Sequence, residues 1–436
     1  MMCAVMSMAG CGLVLANGGG YSRGGVHSSG SIEGFQPKQT EKVQILDEQL
    51  TITLGPESAD VEVRYLMKNV TKSKAKVRFG FPVEVERDEY WLEPDQRKLM
   101  PDDKLVAMYC ANYEATAFGK PLKSKFEREK RQKQDDRFDG VGGWLVSEFS
   151  LDPGVEMPMR IAFTTTYPYV FSSVSEDAYS KFDTFRYRLS TAACWAGPIA
   201  KGRIVIKSEG IRANEVRILK PVNRFRKFDQ DWVWEFENLE PTMADDLEVG
   251  AVLAEKSYGR YHVDDDEKIT GGNYIERGER WFIEHVAYAI KASSTLASDE
   301  EHSYEAEKIR DWEGVWSEGA KGSGVGEWLE LKPEVAKPLD AITIRPGCWI
   351  TDELFLKNAR PKKIKVELNG EEDFEVEVPD KKDPFRIFVD GYDKPVSKIR
   401  LTFLEVWPGT KYEDLCVTQI RLIACLEKEP KIQPAR

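Results

Sequence analysis

Apolar and polar side chains alternate at every second position in several stretches of the first half of the chain: Val61, Val63 and Tyr65; Val77, Phe79 and Phe81; Ile161 and Phe163; Tyr187 and Leu189; Trp232, Trp234 and Phe236. A period of two puts such side chains on one face of an extended strand, so each stretch predicts a half-buried strand. Turn-forming clusters, Asp152-Pro153-Gly154 and Ala196-Gly197-Pro198, separate them, and no long amphipathic helical pattern intervenes. An antiparallel β-sandwich over residues 43–254 is the expected closure. The second half repeats the pattern. Ile364, Val366 and Leu368 alternate on one side of Asn369-Gly370, and Phe374, Val376 and Val378 on the other. An Asn-Gly pair accepts the positive φ angles of a tight hairpin. Further strands are expected at 385–389, 399–406 and 417–422. Five or more strands in about 150 residues, residues 281–436, close as a sandwich or jelly roll.

Between these blocks, residues 255–280 turn polar and lose their period, with Asp264-Asp265-Asp266-Glu267 and the glycines Gly271 and Gly272. They are expected to be a solvated linker. The acidic run lacks the Gly and Glu that a calcium-binding EF-hand loop requires at its sixth and twelfth positions. At 436 residues the chain is long enough for two such domains, each with its own core.

The chain starts with a short apolar run, Met1 to Ala16, ending in Val14-Leu15-Ala16 ahead of a Gly/Ser-rich stretch that reads as a flexible tether over residues 17–42. The run resembles a secretory signal peptide without its basic leading region, which suggests further residues upstream. Met8-Ala9-Gly10-Cys11 competes as a lipoprotein signal that would leave a lipid anchor on Cys11. Either way the expectation is export to the periplasm, the cell surface or the medium. No later segment has the apolar length of a transmembrane helix. Past Ala16 five cysteines remain, an odd set, so at least one thiol is free. Cys416 and Cys425 fall at opposite ends of one expected strand, too far apart to bond each other.

Charge narrows the partners. The net charge of -12 gives no general attraction to nucleic acid. The basic run Lys120, Lys123, Lys125, Arg128, Lys130, Arg131 and Lys133 is interrupted by Glu127 and Glu129, and is expected as a solvated loop or short charged helix. The four histidines, His27, His262, His285 and His302, are scattered without metal-ligand or nucleophile spacing, so neither a cofactor nor a metal site is predicted. Gly322, Gly324 and Gly326 lack the Lys-Ser/Thr ending of a phosphate loop and read as a turn. Carboxylates are plentiful but form no recognisable catalytic pair, and no enzymatic activity is expected.

Ala292-Ser293-Ser294-Thr295-Leu296, Asp311, Trp316-Ser317-Glu318-Gly319 and Gly324-Val325-Gly326-Glu327-Trp328, followed by Gly347, Asn358-Ala359-Arg360 and Lys411-Tyr412-Glu413-Asp414-Leu415-Cys416, resemble in order and spacing the glycan-binding domain associated with bacterial secreted NAD glycohydrolases. The resemblance implies a galactose-binding-like, discoidin-type β-sandwich from about Trp281 to Ala424. It departs from the family at Asp311-Trp312, at Cys348, where an aromatic is usual after the glycine, and at Gln419 in place of an acid. The first block, through Val77 to Phe81-Pro82 and Tyr187-Arg188-Leu189 with Trp195-Ala196-Gly197-Pro198-Ile199, is similar to an uncharacterised family of exported bacterial β-domains.

The expected function is non-catalytic carbohydrate binding in adhesion. The readings set beside it are an envelope protein–protein scaffold and a carbohydrate-active enzyme. Sugar C–H faces pack on aromatic rings while polar groups bond the hydroxyls. Trp349 and Tyr412 are the expected platforms, with Glu318 and Arg360 as directional hydrogen-bonding groups. For Glu318 and Arg360 a structural ion pair inside the sandwich is the competing role, and Trp316 is expected in the core.

Overall fold

The computed structural model describes residues 38–85, 100–128, 141–167, 169–175, 178–251, 256–258, 274–277, 279–284, 286–298, 303–310 and 314–430. The export signal, the tether through residue 37, the acidic run at 264–267, Asp311-Trp312 and all four histidines lie outside them. Among the described residues strands dominate, and the α-helices Asp102–Tyr109 and Asp352–Lys357 are short. No helix there is long and apolar enough to cross a membrane.

The alternating stretches become strands with the expected inward faces: Val61 and Val63 in Ser58–Asn69, Val77, Phe79 and Phe81 in Ala75–Glu84, Ile161 in Glu156–Thr166 and Trp234 in Asp231–Leu239. Two local expectations fail. Tyr187 ends the strand Ala178–Tyr187, but Leu189 opens a buried 3-10 helix, Leu189–Cys194, at whose start the Asp246 carboxylate accepts from the Ser190 N–H and hydroxyl. The basic run as far as Arg128 forms the strands Lys120–Pro121 and Ser124–Arg128, where Phe126 packs on the core and Glu127 and Arg128 pair with Arg78 and Asp102; Lys130, Arg131 and Lys133 lie outside the described residues.

In the first module an eight-stranded sheet is built around Val43–Leu54, which pairs antiparallel with Ser58–Asn69. Its other neighbour, Ile199–Ser208, runs parallel to it from Glu48/Gly202 to Leu54/Ser208, a pairing that a tight turn cannot make and the long intervening chain can. The sheet shares one core with the smaller sheet Ala75–Glu84, Val141–Leu151 and Ser124–Arg128 and with the strands Ala178–Tyr187 and Leu247–Ala251. In the second module the five strands Tyr288–Ala292, Trp328–Pro333, Ile399–Trp407, Arg360–Leu368 and Glu372–Glu377 cover Arg280–Glu284, Cys416–Leu426, Leu339–Pro346 and Phe385–Phe388, with Trp316, Leu331, Ile364, Phe403 and Leu422 between the layers. Asn369 and Gly370 turn the predicted hairpin at φ 55 and 72. Cys416 and Cys425 lie in one strand, and the five cysteines from Cys110 onward are free thiols.

Residues 255–280 are not simply a linker. They contain the strands Lys256–Tyr258 and Tyr274–Arg277, and Tyr274 is buried in the second core. Ala178–Tyr187 pairs with Lys256–Tyr258, which pairs in turn with Tyr274–Arg277, then Arg280–Glu284, then Cys416–Leu426. One sheet therefore runs through both modules. Only two consecutive apolar residues, Tyr274 and Ile275, stand there between Gly271-Gly272-Asn273 and Glu276-Arg277, too short a run to show a period.

Ion pairs close the same seam. Asp340 of the second module, buried, is held by Arg212 of the first at 2.8 Å and by Arg277 at 3.1 Å, and Arg277 also meets Glu215 at 3.0 Å. Glu215 in turn binds the buried Arg386 at 3.2 Å. A second contact seats the turn at Gly55 to Ser58 against Asp383: the Ser58 hydroxyl donates to its carboxylate at 3.0 Å, and a Cβ on Gly55 would fall 2.6 Å from the same oxygen.

Candidate functional site

Three loops meet at one end of the second sandwich: the turn after Trp316–Ser317, the segment from Gly347 through the helix Asp352–Lys357, and the loop after Ile399–Trp407. Backbone bonds tie them together. The Glu318 N–H donates to the Leu415 carbonyl at 3.0 Å, Ala359 to Asp414 at 3.0 Å, Thr410 to Leu356 at 3.0 Å and Tyr412 to Lys357 at 2.8 Å. Gly347 has φ 82 and lies where a Cβ would meet the Arg360 side chain at 2.8 Å, so only glycine fits between strand end and loop. Thr351 caps the short helix by accepting the Leu354 N–H at 3.0 Å. The glycines Gly322, Gly324 and Gly326 all have positive φ and form the turn expected of them.

Among exposed polar residues such as Asp352, Glu353, Lys411 and Glu413, four large apolar side chains face water at this end. Val325 is 56% exposed, Ile350 53%, Leu356 55% and Tyr412 38%. Tyr412 is flanked by the Lys411 ammonium, 4.8 Å from its ring centre. Trp349 is half-buried: its indole N–H donates to the Pro346 carbonyl at 2.7 Å, and the Arg345 guanidinium lies 4.8 Å over its ring. One face of Trp349 is therefore occupied from within the protein. Tyr412 offers the more accessible ring, on a loop hydrogen-bonded to the helix that carries Leu356.

Arg360 and Glu318 are both buried, and they do not pair with each other. Arg360 makes a two-pronged bond to Asp380, at 2.7 and 2.9 Å, and donates to the carbonyls of Phe355 and Asn358. It pins the helix loop to the strand below. Glu318 accepts the Ala320 N–H at 2.6 Å through Oε2, while Oε1 is buried without a partner. Burial pushes its carboxyl up from the ordinary carboxylate range, against the hydrogen bond from Ala320. Trp316 is fully buried, stacked on Phe403 at 5.7 Å, with its indole N–H on the Ser294 carbonyl.

Ile350 and Leu356 were not singled out from the sequence. A signal was present: Leu354-Phe355-Leu356 puts three consecutive apolar residues on a helix of six, and a helix has no face wide enough to bury all three. Phe355 takes the interior and Leu356 the solvent. Among the described residues, no group of three or more His, Cys, Asp or Glu is placed to hold a metal ion.

Two facing sheets with exposed loops at one end define a discoidin-type sandwich, the F5/8 type C class of domain. Residues 281–423 match the NAD glycohydrolase translocation F5/8 type C domain family, and residues 26–145 match a domain of unknown function, DUF4424. Among solved structures, the Streptococcus pyogenes NAD+-glycohydrolase translocation domain is 26% identical over 24% of this chain and 94% of its own, with a TM-score of 0.21. A putative nutrient binding protein from Legionella pneumophila is 14% identical over 49% of this chain and 68% of its own, with a TM-score of 0.34. The module GH31 CBM32-2, bound to GalNAc, is 16% identical over 32% of this chain and 97% of its own, with a TM-score of 0.24. No curated protein matches the chain.

Proposed function

We propose that the protein is an exported, non-catalytic carbohydrate-binding protein of the adhesion type, which holds a cell-surface glycan at the loop end of its second sandwich. The observation that carries this reading is the cluster of exposed Tyr412, Leu356 and Ile350 beside Trp349, on the module that matches the F5/8 type C family. A sugar ring laid on Tyr412 exchanges wet apolar surface for C–H contact with the ring, and the loop carbonyls and Lys411 supply polar partners. Export rests on the apolar run ahead of Asn17. Glycan-array binding of the intact chain tests the site. Tyr412→Ala is expected to weaken retention of the bound glycan by about 1–3 kcal/mol, the scale of one large apolar side chain, with an unchanged melting temperature. Equal binding by the variant, or no glycan retained by either protein, sinks the platform.

The exposed aliphatics Ile350 and Leu356 favour a second reading, an envelope protein partner docked on the same end. Retention of a protein from envelope extract that Leu356→Asp abolishes, with an empty glycan array, would select it.

A further inference from the structure

Where the two modules meet, the seam opens into a cleft of about 440 Å³, inside the range of small-ligand sites, roughly 300–1,000 Å³. Both modules build it. Asn214 and Glu215 come from the first, Arg277 and Arg280 from the joining strands, and Asp340 and Asp393 from the second. Most of its charges neutralise one another. Arg212 binds Asp340 and Asp390, and Arg277 binds Asp340 and Glu215, so these groups hold the seam shut.

Arg280 is different. Its guanidinium rests on the Phe282 ring, 5.1 Å from the centre, and its one hydrogen-bond partner is the Cys425 sulfur at 3.5 Å. Among the described residues it has no carboxylate. Asp393 and Asn214 line the same cleft, are exposed, and have no ion pair or side-chain hydrogen bond among the described residues. A guanidinium drawn to an aromatic ring in a cleft has fewer places to point its donors than one free in solvent. What that fork lacks is the planar, two-oxygen acceptor of a carboxylate. Asp393 is an acceptor for hydroxyls, and Asn214 both donates and accepts.

From these three cleft-lining groups, none of which has an ion pair among the described residues, we infer a second ligand site, at the seam between the modules, for a small acidic saccharide of the uronate type. Its carboxylate lies on Arg280, and its hydroxyls bond Asp393 and Asn214. The site goes beyond the glycan reading of the loop end and uses none of its residues. It exists only while the modules are joined, since neither alone supplies both Asn214 and Asp393.

Calorimetric titration of the intact chain with digalacturonate tests it, with galactobiose as the neutral counterpart and succinate as a carboxylate without sugar hydroxyls. Digalacturonate is expected to bind at least tenfold more tightly than either, and raised salt is expected to weaken it. Arg280→Met should reduce affinity tenfold or more and Asp393→Asn severalfold, both at unchanged melting temperature, because neither side chain belongs to the buried ion-pair network. Tyr412→Ala should leave digalacturonate binding intact. The inference is overturned if digalacturonate fails to bind, if galactobiose or succinate matches it, if Arg280→Met binds as well as the unaltered protein, or if Tyr412→Ala abolishes binding. The last outcome would place acidic sugars at the loop end, leaving the proposed function standing and the seam site refuted.

Discussion

Glu48 sits fully buried in the central strand of the first module, with the Tyr187 hydroxyl 3.4 Å from its carboxyl and Tyr65 bonded to Tyr187 at 3.0 Å. Burial pushes its pKa up to about 8 from 4.5, so the folded protein holds a proton that the unfolded chain releases. The native state then binds more protons than the unfolded one across that window. Stability therefore falls as pH rises from about 4.5 to about 8, by about 1.4 kcal/mol per pH unit from this group. Asp383, raised by burial to about 7, acts in the same direction. Glu48→Gln, which keeps the neutral shape, is expected to flatten the fall and to melt higher than the unaltered protein at pH 8. Identical melting temperatures across the range would show that Glu48 is ionised in the fold. The sequence hid this residue for a geometric reason. Val43 and Ile45 set one phase of alternation, and a bulge between Ile45 and Asp47 shifts it, so that Glu48 falls inward in line with Leu50, Ile52 and Leu54. No periodicity argument locates a bulge in advance.

At the scale of elements, the two-residue strand Trp316–Ser317 does more for the second sandwich than its length suggests. Its fully buried tryptophan bridges the layers by stacking on Phe403. Trp316→Ala should cost about 3–5 kcal/mol in denaturant unfolding, from lost burial and the cavity left behind. A cost below 1 kcal/mol would mean that the layers close over the gap. Strand positions such as Ile364, Val366 and Leu368 were legible because period two is a local property, and the Asn369-Gly370 turn because its chemistry is local as well. The loop residues were legible only in part. Arg360 and Glu318 could be read as polar groups inside a sandwich, but the acid that meets Arg360 is set by tertiary return, and Glu318 bonds a backbone N–H two residues on rather than a base. Asp380 reaches Arg360 only after the chain has completed the hairpin, and the Ala320 N–H reaches Glu318 through a glycine-rich turn.

For the whole molecule, the expected boundary falls at a place where secondary structure continues. A fragment starting at Trp281 removes Tyr274 from the second core and takes Arg277 from the buried Asp340, which has already lost Arg212 with the first module. Such a fragment is expected to melt well below a longer one starting at Gly272, since an uncompensated buried charge costs about 3–5 kcal/mol and a buried Tyr adds the loss of its apolar area. Equal melting of the two would restore the picture of independent domains. Where the modules join, the backbone ladder runs from Tyr179 opposite Ser257 through Lys256–Tyr258 and Tyr274–Arg277 into Arg280–Glu284. A load on the second module thus reaches the first through strands and buried ion pairs rather than through a slack tether. A force across the seam is shared between the ladder and the pairs Arg212–Asp340 and Glu215–Arg386, so the two modules part together or not at all.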